Sequence, residues 1–156
     1  GYGATDDAFH ITQPSEGGIG AIKAMSAALR DAQLTTNDIS YINAHGTSTP
    51  FNDKTESAAI ESLFGEQSSV LRVSSTKSMI GHALGASGAL EAVVCVKSIV
   101  DGIAPPTINY EHPDPECALN YIPNKSEKFA INATMSNSFG FGGHNAVIVF
   151  KKWDED

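Results

Sequence analysis

Two stretches of the chain have the apolar spacing of amphipathic helices. The first, residues 18–32, places apolar side chains at helical intervals, at Ile22, Met25, Leu29 and Ala32. The second, residues 53–64, follows Asn52 as a candidate N-cap and stops at Gly65. We predict a half-exposed helix over the first stretch and another helix over the second.

A third stretch, residues 84–100, differs from these because it is apolar on several sides. It contains only Glu91 and Lys97 as charges, and many of its other residues are Gly, Ala or Ser. A helix of this composition belongs in the protein interior, where its small side chains let neighbouring sheets approach closely. We therefore predict a buried helix that ends at Asp101 and Gly102.

Four short segments have the β-branched or alternating pattern of strands. They are residues 39–44, 71–74, 131–139 and 145–151, and a glycine-rich hairpin joins the last two. The first runs directly into His45, at the position where open α/β sheets carry their chemistry. The order of elements predicts a layered α/β/α arrangement in one domain or half-domain over 1–152, followed by an acidic tail over 153–156.

Composition limits the classes of partner and the compartment. The 156 residues can bury a sizeable core, and a formal charge of −8 argues against nucleic acid or an anionic membrane as the main partner. No stretch has the length of a membrane span. Cys95 and Cys117 form no disulfide spacing, which favours the cytoplasm or an organelle matrix. No pair of His or Cys has metal-ligand spacing, so we expect no metal.

His45 is the first candidate for chemistry. It precedes a glycine and three hydroxyl residues, a setting in which one ring nitrogen can donate while local groups fix the other. This suits an oxyanion stabiliser, although a structural histidine in a turn could have the same neighbours. Thr47 and Thr49 alternate along the chain, so their hydroxyls either face the same channel as His45 or serve only the turn.

Lys77 and His82 share one glycine-bounded turn before the apolar helix. The fixed positive charge of Lys77 should disfavour protonation of His82. A neutral imidazole that donates a hydrogen bond can stabilise an enolate oxygen. Glu91 is the one acid of the apolar helix, and a buried carboxylate needs a partner, for which Lys77 is the candidate. The alternatives are a solvated Lys77 and a Glu91 that points to water.

The hairpin Phe139-Gly140-Phe141-Gly142-Gly143 could act as a gate with Phe141 as its apolar blade, or could simply be a tight turn. It lacks the strand-to-helix context of nucleotide-binding loops, which we therefore exclude. Cys95 lies among valines, where apolar surroundings raise the pKa of a thiol, so we interpret it as a core residue. The chain thus lacks a credible nucleophile.

Three motifs together carry a resemblance to a known family. They are Asn-Ala-His-Gly-Thr-Ser-Thr-Pro at 43–50, Ser-Ser-Thr-Lys-Ser-Met-Ile-Gly-His at 74–82 and Asn-Ser-Phe-Gly-Phe-Gly-Gly at 137–143. In this order they resemble the β-ketoacyl-acyl-carrier-protein synthases, and histidine at both positions resembles the elongating group of that family. The resemblance extends from Gly1 to Lys152 and covers only the carboxy-terminal part of such an enzyme.

The resemblance implies a thiolase-like α-β-α-β-α layered fold, of which this chain supplies mainly the second half. It also implies a decarboxylative Claisen condensation between an acyl group held on a cysteine and malonyl carrier protein. Acyl carrier protein would be the partner, and its phosphopantetheine would carry the substrates, so no further cofactor is expected. A homodimer is expected, and an amino-terminal half would bring the cysteine. The start at Gly1 instead of methionine agrees with truncation or processing upstream.

For the reacting centre, the resemblance implies that His45 and His82 assist decarboxylation and hold the enolate oxygen. Lys77 would support them, and Glu91 would be its buried partner.

For the substrate path, the resemblance implies that Thr47 and Thr49 contact the phosphopantetheine arm. Phe141 would be the gating phenylalanine, and its backbone N–H would complete an oxyanion hole. Two alternatives remain open: a polyketide ketosynthase, and a non-catalytic partner subunit of the chain-length-factor type. Retention of His45, Lys77 and His82 argues against the second of these.

Overall fold

The computed structural model describes residues 1–153, which are built around a five-stranded mixed sheet. The predicted acidic tail lies outside the described residues except for Trp153. In chain order the elements are β1 (Tyr2–Asp6), α1 (Ile19–Ala32), β2 (Tyr41–Asn43), α2 (Asn52–Phe64), β3 (Arg72–Ser74), α3 (Lys77–Ile80), α4 (Ser87–Asp101), β4 (Ile103–Ala104), β5 (Glu127–Lys128), β6 (Ala133–Gly140) and β7 (His144–Lys151).

The order of strands in the main sheet is β1-β7-β6-β2-β3, and β4 pairs with β5 in a separate ribbon. β1, β7 and β6 run antiparallel to one another, whereas β2 runs parallel to both of its neighbours, β6 and β3. Asn43 at the end of β2 therefore lies between Ser74 of β3 and Ser136 of β6. The carboxyl ends of these three strands meet at one edge of the sheet.

α1 and α2 cover one face of the sheet and enclose the larger apolar core. α1 packs on β1 and β7 through a stripe of fully buried small and flexible side chains, at Ala24, Met25 and Ala28. α2 adds Ala59 and Ile60, which are also buried. The helical spacing of these residues gives each helix one apolar side, and burial of that side against the sheet stabilises the layer.

α4 covers the opposite face and lies mainly over β6. This arrangement confirms the predicted α/β/α layering. The prediction that α4 is buried all round was wrong for this chain, because its sheet-facing side consists of Ser87, Glu91, Cys95 and Ser98. Its larger apolar side chains point outward, and Leu90, Val93, Val96 and Val100 are exposed. Polar residues can face the sheet because groups outside the helix hold them: Glu91 pairs with Lys77, Ser87 contacts His82, and Cys95 donates to the carbonyl oxygen of Met135.

The other predicted elements are confirmed, with ends that differ by one or two residues, and the glycine-rich segment is a hairpin turn between β6 and β7. Asn52 is not an N-cap, because it is the first residue of α2. Its backbone N–H donates to Thr49 Oγ1 at 3.3 Å, so a hydroxyl three residues earlier satisfies this helix end. Among residues 1–153, no helix combines the length and the hydropathy that crossing a membrane requires.

Gly3 allows α1 to lie directly against β1. A Cβ atom on Gly3 would lie 2.1 Å from the carbonyl oxygen of Ala24 and 2.6 Å from the nitrogen of Ala28. Both atoms belong to the helix backbone, which cannot move aside without separating helix from sheet.

We expect Gly3→Ala to lower the free energy of unfolding by about 1–3 kcal/mol, because the added methyl group overpacks this contact. Gly140→Ala is the matched control, since the nearest atom to its added Cβ would be 3.8 Å away. Urea unfolding followed by circular dichroism measures both changes. Equal stability of the two variants would contradict the close helix–strand contact.

Candidate active site

Three parallel strands deliver the candidate residues to one edge of the sheet. His45 follows β2 by two residues, and the turn with Lys77 and His82 follows β3. Phe139 lies near the end of β6, and its ring centroid is 5.7 Å from that of His45. The ring centroids of His45 and His82 are 5.6 Å apart, with an interplanar angle of 85°. The structure therefore brings together two histidines that are far apart in sequence.

A buried carboxylate holds the turn that carries His45. Glu56 of α2 accepts hydrogen bonds from the backbone N–H groups of His45 and Gly46, each at 3.0 Å. It also accepts from Asn137 Nδ2 at 3.0 Å and from Asn52 Nδ2 at 3.4 Å. Burial raises the pKa of Glu56, and these N–H donors oppose that shift because they stabilise the ionised form.

Sequence reasoning missed Glu56, because it looks like an ordinary helix acid of α2. The available signal was its position, one turn into the helix that follows the His45 motif. Gly46 shows how close this packing is, since a Cβ there would lie 2.5 Å from Ser75 Cβ, and its φ is +41°. Ser75 Oγ in turn donates to the carbonyl oxygen of Gly46 at 2.6 Å. The turns after β2 and β3 are thus tied directly to each other.

The tautomer of His82 follows from its local contacts. The backbone N–H of Leu84 donates to His82 Nδ1 at 3.1 Å, and a backbone N–H can only donate. Nδ1 is therefore the acceptor, and the proton of the neutral ring lies on Nε2. His82 is exposed at the edge of the sheet, so its Nε2–H is available to a ligand.

Lys77 and Glu91 form a buried ion pair, as predicted, with side chains 5% and 1% exposed. The alternatives of a solvated Lys77 and a Glu91 that points to water are therefore wrong. Burial raises the pKa of Glu91, and the ammonium group of Lys77 opposes this shift. The pair joins the turn after β3 to α4 and fixes a positive charge behind the two histidines.

The environment keeps His45 neutral. Burial, together with the nearby Lys77 and His82, lowers the pKa of His45 to about 3. Lys77 is thus one cause of the lowered pKa of His45. The effect of this cation on His82 stays a prediction. Nδ1 of His45 is buried and has no hydrogen-bond partner among the described residues.

A cleft of about 860 Å³ adjoins this centre. Thr47, Thr49, Lys77 and His82 line one part of it, and the loop from Thr107 to Tyr121 lines the other. Thr47 Oγ1 and Thr49 Oγ1 lie 3.1 Å apart, and Thr49 Oγ1 also accepts from the backbone N–H of Asn52. That both hydroxyls serve the same channel as His45 stays a prediction. Phe141 does not line the cleft; it lies in the hairpin turn with its side chain 78% exposed.

Neither cysteine of the chain is a credible nucleophile. Cys95 is buried against the sheet, where burial raises its pKa to about 12. Burial also raises the pKa of Cys117, which lines the far part of the cleft. Both thiols are therefore protonated near neutral pH, and a protonated thiol is a weak nucleophile. Among residues 1–153, no group of three His, Cys, Asp or Glu side chains could hold a metal ion.

The fold and the paired histidines define the class of protein, which is the thiolase-fold ketosynthases. A ketosynthase of Burkholderia phymatum superposes with a TM-score of 0.91 at 40% identity, over 99% of this chain and 37% of that one. A type II polyketide ketosynthase in complex with its acyl-carrier protein superposes with a TM-score of 0.96 at 40% identity, over 99% of this chain and 38% of that one. The ishigamide ketosynthase/chain length factor superposes with a TM-score of 0.94 at 40% identity, over 99% of this chain and 37% of that one.

The chain belongs to the β-ketoacyl synthase family, because the model of the β-ketoacyl synthase C-terminal domain matches residues 1–111. It is 53% identical over 153 residues to the 3-oxoacyl-[acyl-carrier-protein] synthase 2 of Synechocystis. The aligned region covers 98% of this chain and 37% of that protein. It is 53% identical over 154 residues to the synthase 2 of Staphylococcus aureus, again over 37% of its length. The chain thus spans little more than a third of these relatives.

The depressed pKa of His45 predicts a pH-dependent stability. The pKa of His45 is ~6.5 in the unfolded chain and about 3 in the folded chain. Between these two pH values the unfolded chain binds a proton that the folded chain does not bind. The stability present at neutral pH is therefore lost as the pH falls below ~6.5. From pH 7 to pH 5.5 we expect this residue to remove about 1 kcal/mol of unfolding free energy. Urea unfolding of wild type and His45→Asn at both pH values measures it, and parallel pH dependences would contradict a neutral buried His45.

The buried ion pair predicts strong coupling between Lys77 and Glu91. Lys77→Met leaves the Glu91 carboxylate buried without its cation and should lower the free energy of unfolding by about 3–5 kcal/mol. Lys77→Met/Glu91→Leu should recover most of that loss, because it removes both charges. Lys97→Met is the control, since its partner Asp101 lies at the surface. Additive losses in the double variant, measured by urea unfolding, would contradict the pairing.

Proposed function

We propose that this chain is the carboxy-terminal part of a 3-oxoacyl-[acyl-carrier-protein] synthase that elongates fatty acyl chains. The reaction is a decarboxylative Claisen condensation of an acyl thioester with malonyl carrier protein. The observation that carries the proposal is the juxtaposition of two imidazoles, His45 and His82, beside the buried Lys77–Glu91 pair. The 53% identity to proteins of that name supports the same reading.

The chemistry of these groups suits an enolate. Loss of carbon dioxide from a malonyl thioester leaves an enolate whose oxygen carries negative charge. His82 offers an Nε2–H fixed by the Leu84 contact, and His45 offers a second neutral ring whose centroid is 5.6 Å from that of His82. Two preorganised donors stabilise the developing charge without being consumed, and the nearby Lys77 cation favours it electrostatically. The enolate carbon then attacks the acyl thioester and expels the cysteine thiolate.

The cleft suits an extended arm that carries the substrate. Thr47 and Thr49 present neighbouring hydroxyls at the approach to His82, where they would hydrogen-bond the phosphopantetheine of acyl carrier protein. We propose that Phe141, which lies outside the cleft on a turn that contains three glycines, gates access to the histidines in the complete protein. This assignment requires no metal and no cofactor beyond the phosphopantetheine of the carrier.

The complete protein would supply what this chain does not. The relatives are almost three times as long, and we propose that the remaining part brings the nucleophilic cysteine and covers the apolar outer side of α4. We propose a homodimer in the cytoplasm or an organelle matrix. The two free thiols, Cys95 and Cys117, agree with a reducing compartment.

A second candidate is a non-catalytic partner subunit, because one similar structure is a ketosynthase/chain length factor. A subunit without chemistry has no need for two donor histidines, a buried cation and a fixed tautomer at one edge of the sheet. A polyketide ketosynthase would use the same site, and the carrier it accepts distinguishes it from a fatty acid enzyme.

Intact-mass spectrometry of the natively expressed protein is the first test. We expect a species far heavier than 16.4 kDa that gains one acyl group on incubation with an acyl carrier thioester. In that protein, His45→Ala or His82→Ala should slow malonyl decarboxylation by about 10²–10³-fold while the acyl group is still loaded. His144→Ala is the control, since this exposed histidine lies in the hairpin turn and pairs with Asp6. Undiminished decarboxylation in the variants, or no acyl adduct, would overturn the proposal.

A further inference from the structure

We propose that Ser87, the first residue of α4, is a positioning residue for His82: its hydroxyl donates to His82 Nδ1 and holds the ring as the Nε2–H tautomer. The inference rests on the proposed function for its catalytic meaning. The effect of Ser87 on the tautomer of His82 can be tested without measuring activity.

The contact lies at the start of the helix that also carries Glu91. His82 Nδ1 and Ser87 Oγ are 3.0 Å apart, within hydrogen-bond distance. Ser87 is buried, with 7% of its surface exposed, whereas His82 lies in the open edge of the site. The hydroxyl therefore approaches the imidazole from the protein side and leaves Nε2 free.

The direction of this hydrogen bond follows from a neighbouring one. Leu84 N–H donates to the same Nδ1 at 3.1 Å and cannot accept. If Nδ1 carried a proton, that proton would face a backbone N–H, which is repulsive. Ser87 must therefore be the donor, and Nδ1 receives two hydrogen bonds. Each of them favours the Nε2–H tautomer over the Nδ1–H tautomer.

The hydroxyl of Ser87 is not engaged in capping the helix. α4 begins after Ala86 without a side-chain capping bond, and the backbone N–H of Ser87 donates to the carbonyl oxygen of Leu84. The Ser87 side chain is thus available to the imidazole, which is the partner that the structure gives it. A buried hydroxyl would otherwise lack a partner at this position.

The charged groups around His82 leave the two hydrogen bonds to Nδ1 as the contacts that set its tautomer. Lys77, on the turn after β3, forms its ion pair with Glu91, one turn beyond Ser87 along α4. The ring of His45 contacts His82 edge-on, and Glu56 accepts from the backbone of the His45 turn. Among residues 1–153 no carboxylate forms an ion pair with His82. Ser87 and Glu91 lie four residues apart, so one side of α4 orients both the imidazole and the lysine.

The test compares Ser87→Ala with Ser87→Thr in the complete synthase that carries this chain. Nitrogen-15 spectra of histidine-labelled protein report the tautomer of His82, assigned by its loss in His82→Asn. We expect Ser87→Ala to increase the Nδ1–H form, and to lower kcat for malonyl decarboxylation about five- to tenfold with KM within about twofold of wild type. Ser87→Thr retains the hydroxyl and should restore both readouts.

Ser98→Ala is the matched control, because Ser98 is another buried serine on the sheet-facing side of α4 and lies eleven residues from Ser87. It should change neither readout. If Ser87→Ala does not fold, Ser87→Cys preserves the side-chain volume with a weak donor and should show the same changes. An unchanged His82 tautomer in these variants, or an equal fall of kcat in Ser98→Ala, would overturn the proposal. A wild-type synthase without decarboxylase activity would refute the proposed function, while the spectra would still decide the role of Ser87.

Discussion

The arrangement of the site depends on one buried carboxylate. Glu56 accepts hydrogen bonds from the His45 turn, from the start of α2 and from Asn137 of β6. One side chain thereby fixes a strand end, a helix and a neighbouring strand relative to one another. A buried carboxylate is tolerated only when donors surround it, so the surrounding elements have little freedom to shift. The turn that carries His45 is thereby held in one position.

A second buried group positions the other half of the site. The Lys77–Glu91 pair joins the turn after β3 to α4, and Ser87 on the same side of α4 contacts His82. This explains why α4 turns polar residues to the sheet and apolar residues outward. The inner side of the helix contacts Lys77 and His82, while Leu90, Val93 and Val100 form an exposed apolar surface of the kind that marks an interface.

Several elements escaped sequence analysis for identifiable reasons. β1 is short and rich in small or polar residues, so nothing local favours a strand; its long-range pairing with β7 defines it. α3 is too short for a helical period to be recognised. The buried side of α4 was misjudged because composition records how apolar a helix is, and not which of its sides meets the sheet. Glu56 was missed because its partners come from residues 45 and 137, far from it in sequence.

Local patterns in the sequence predicted the layered fold, the helices and main strands, the two histidine turns and the pairing of Lys77 with Glu91. Those features follow from local spacing, from turn chemistry and from the rule that a buried charge needs a partner. The folded chain was needed to show that His45 faces His82, that Glu56 holds the first turn and that Ser87 contacts the ring of His82. Such contacts depend on how three strand ends and two helices meet in space, which local sequence patterns do not specify.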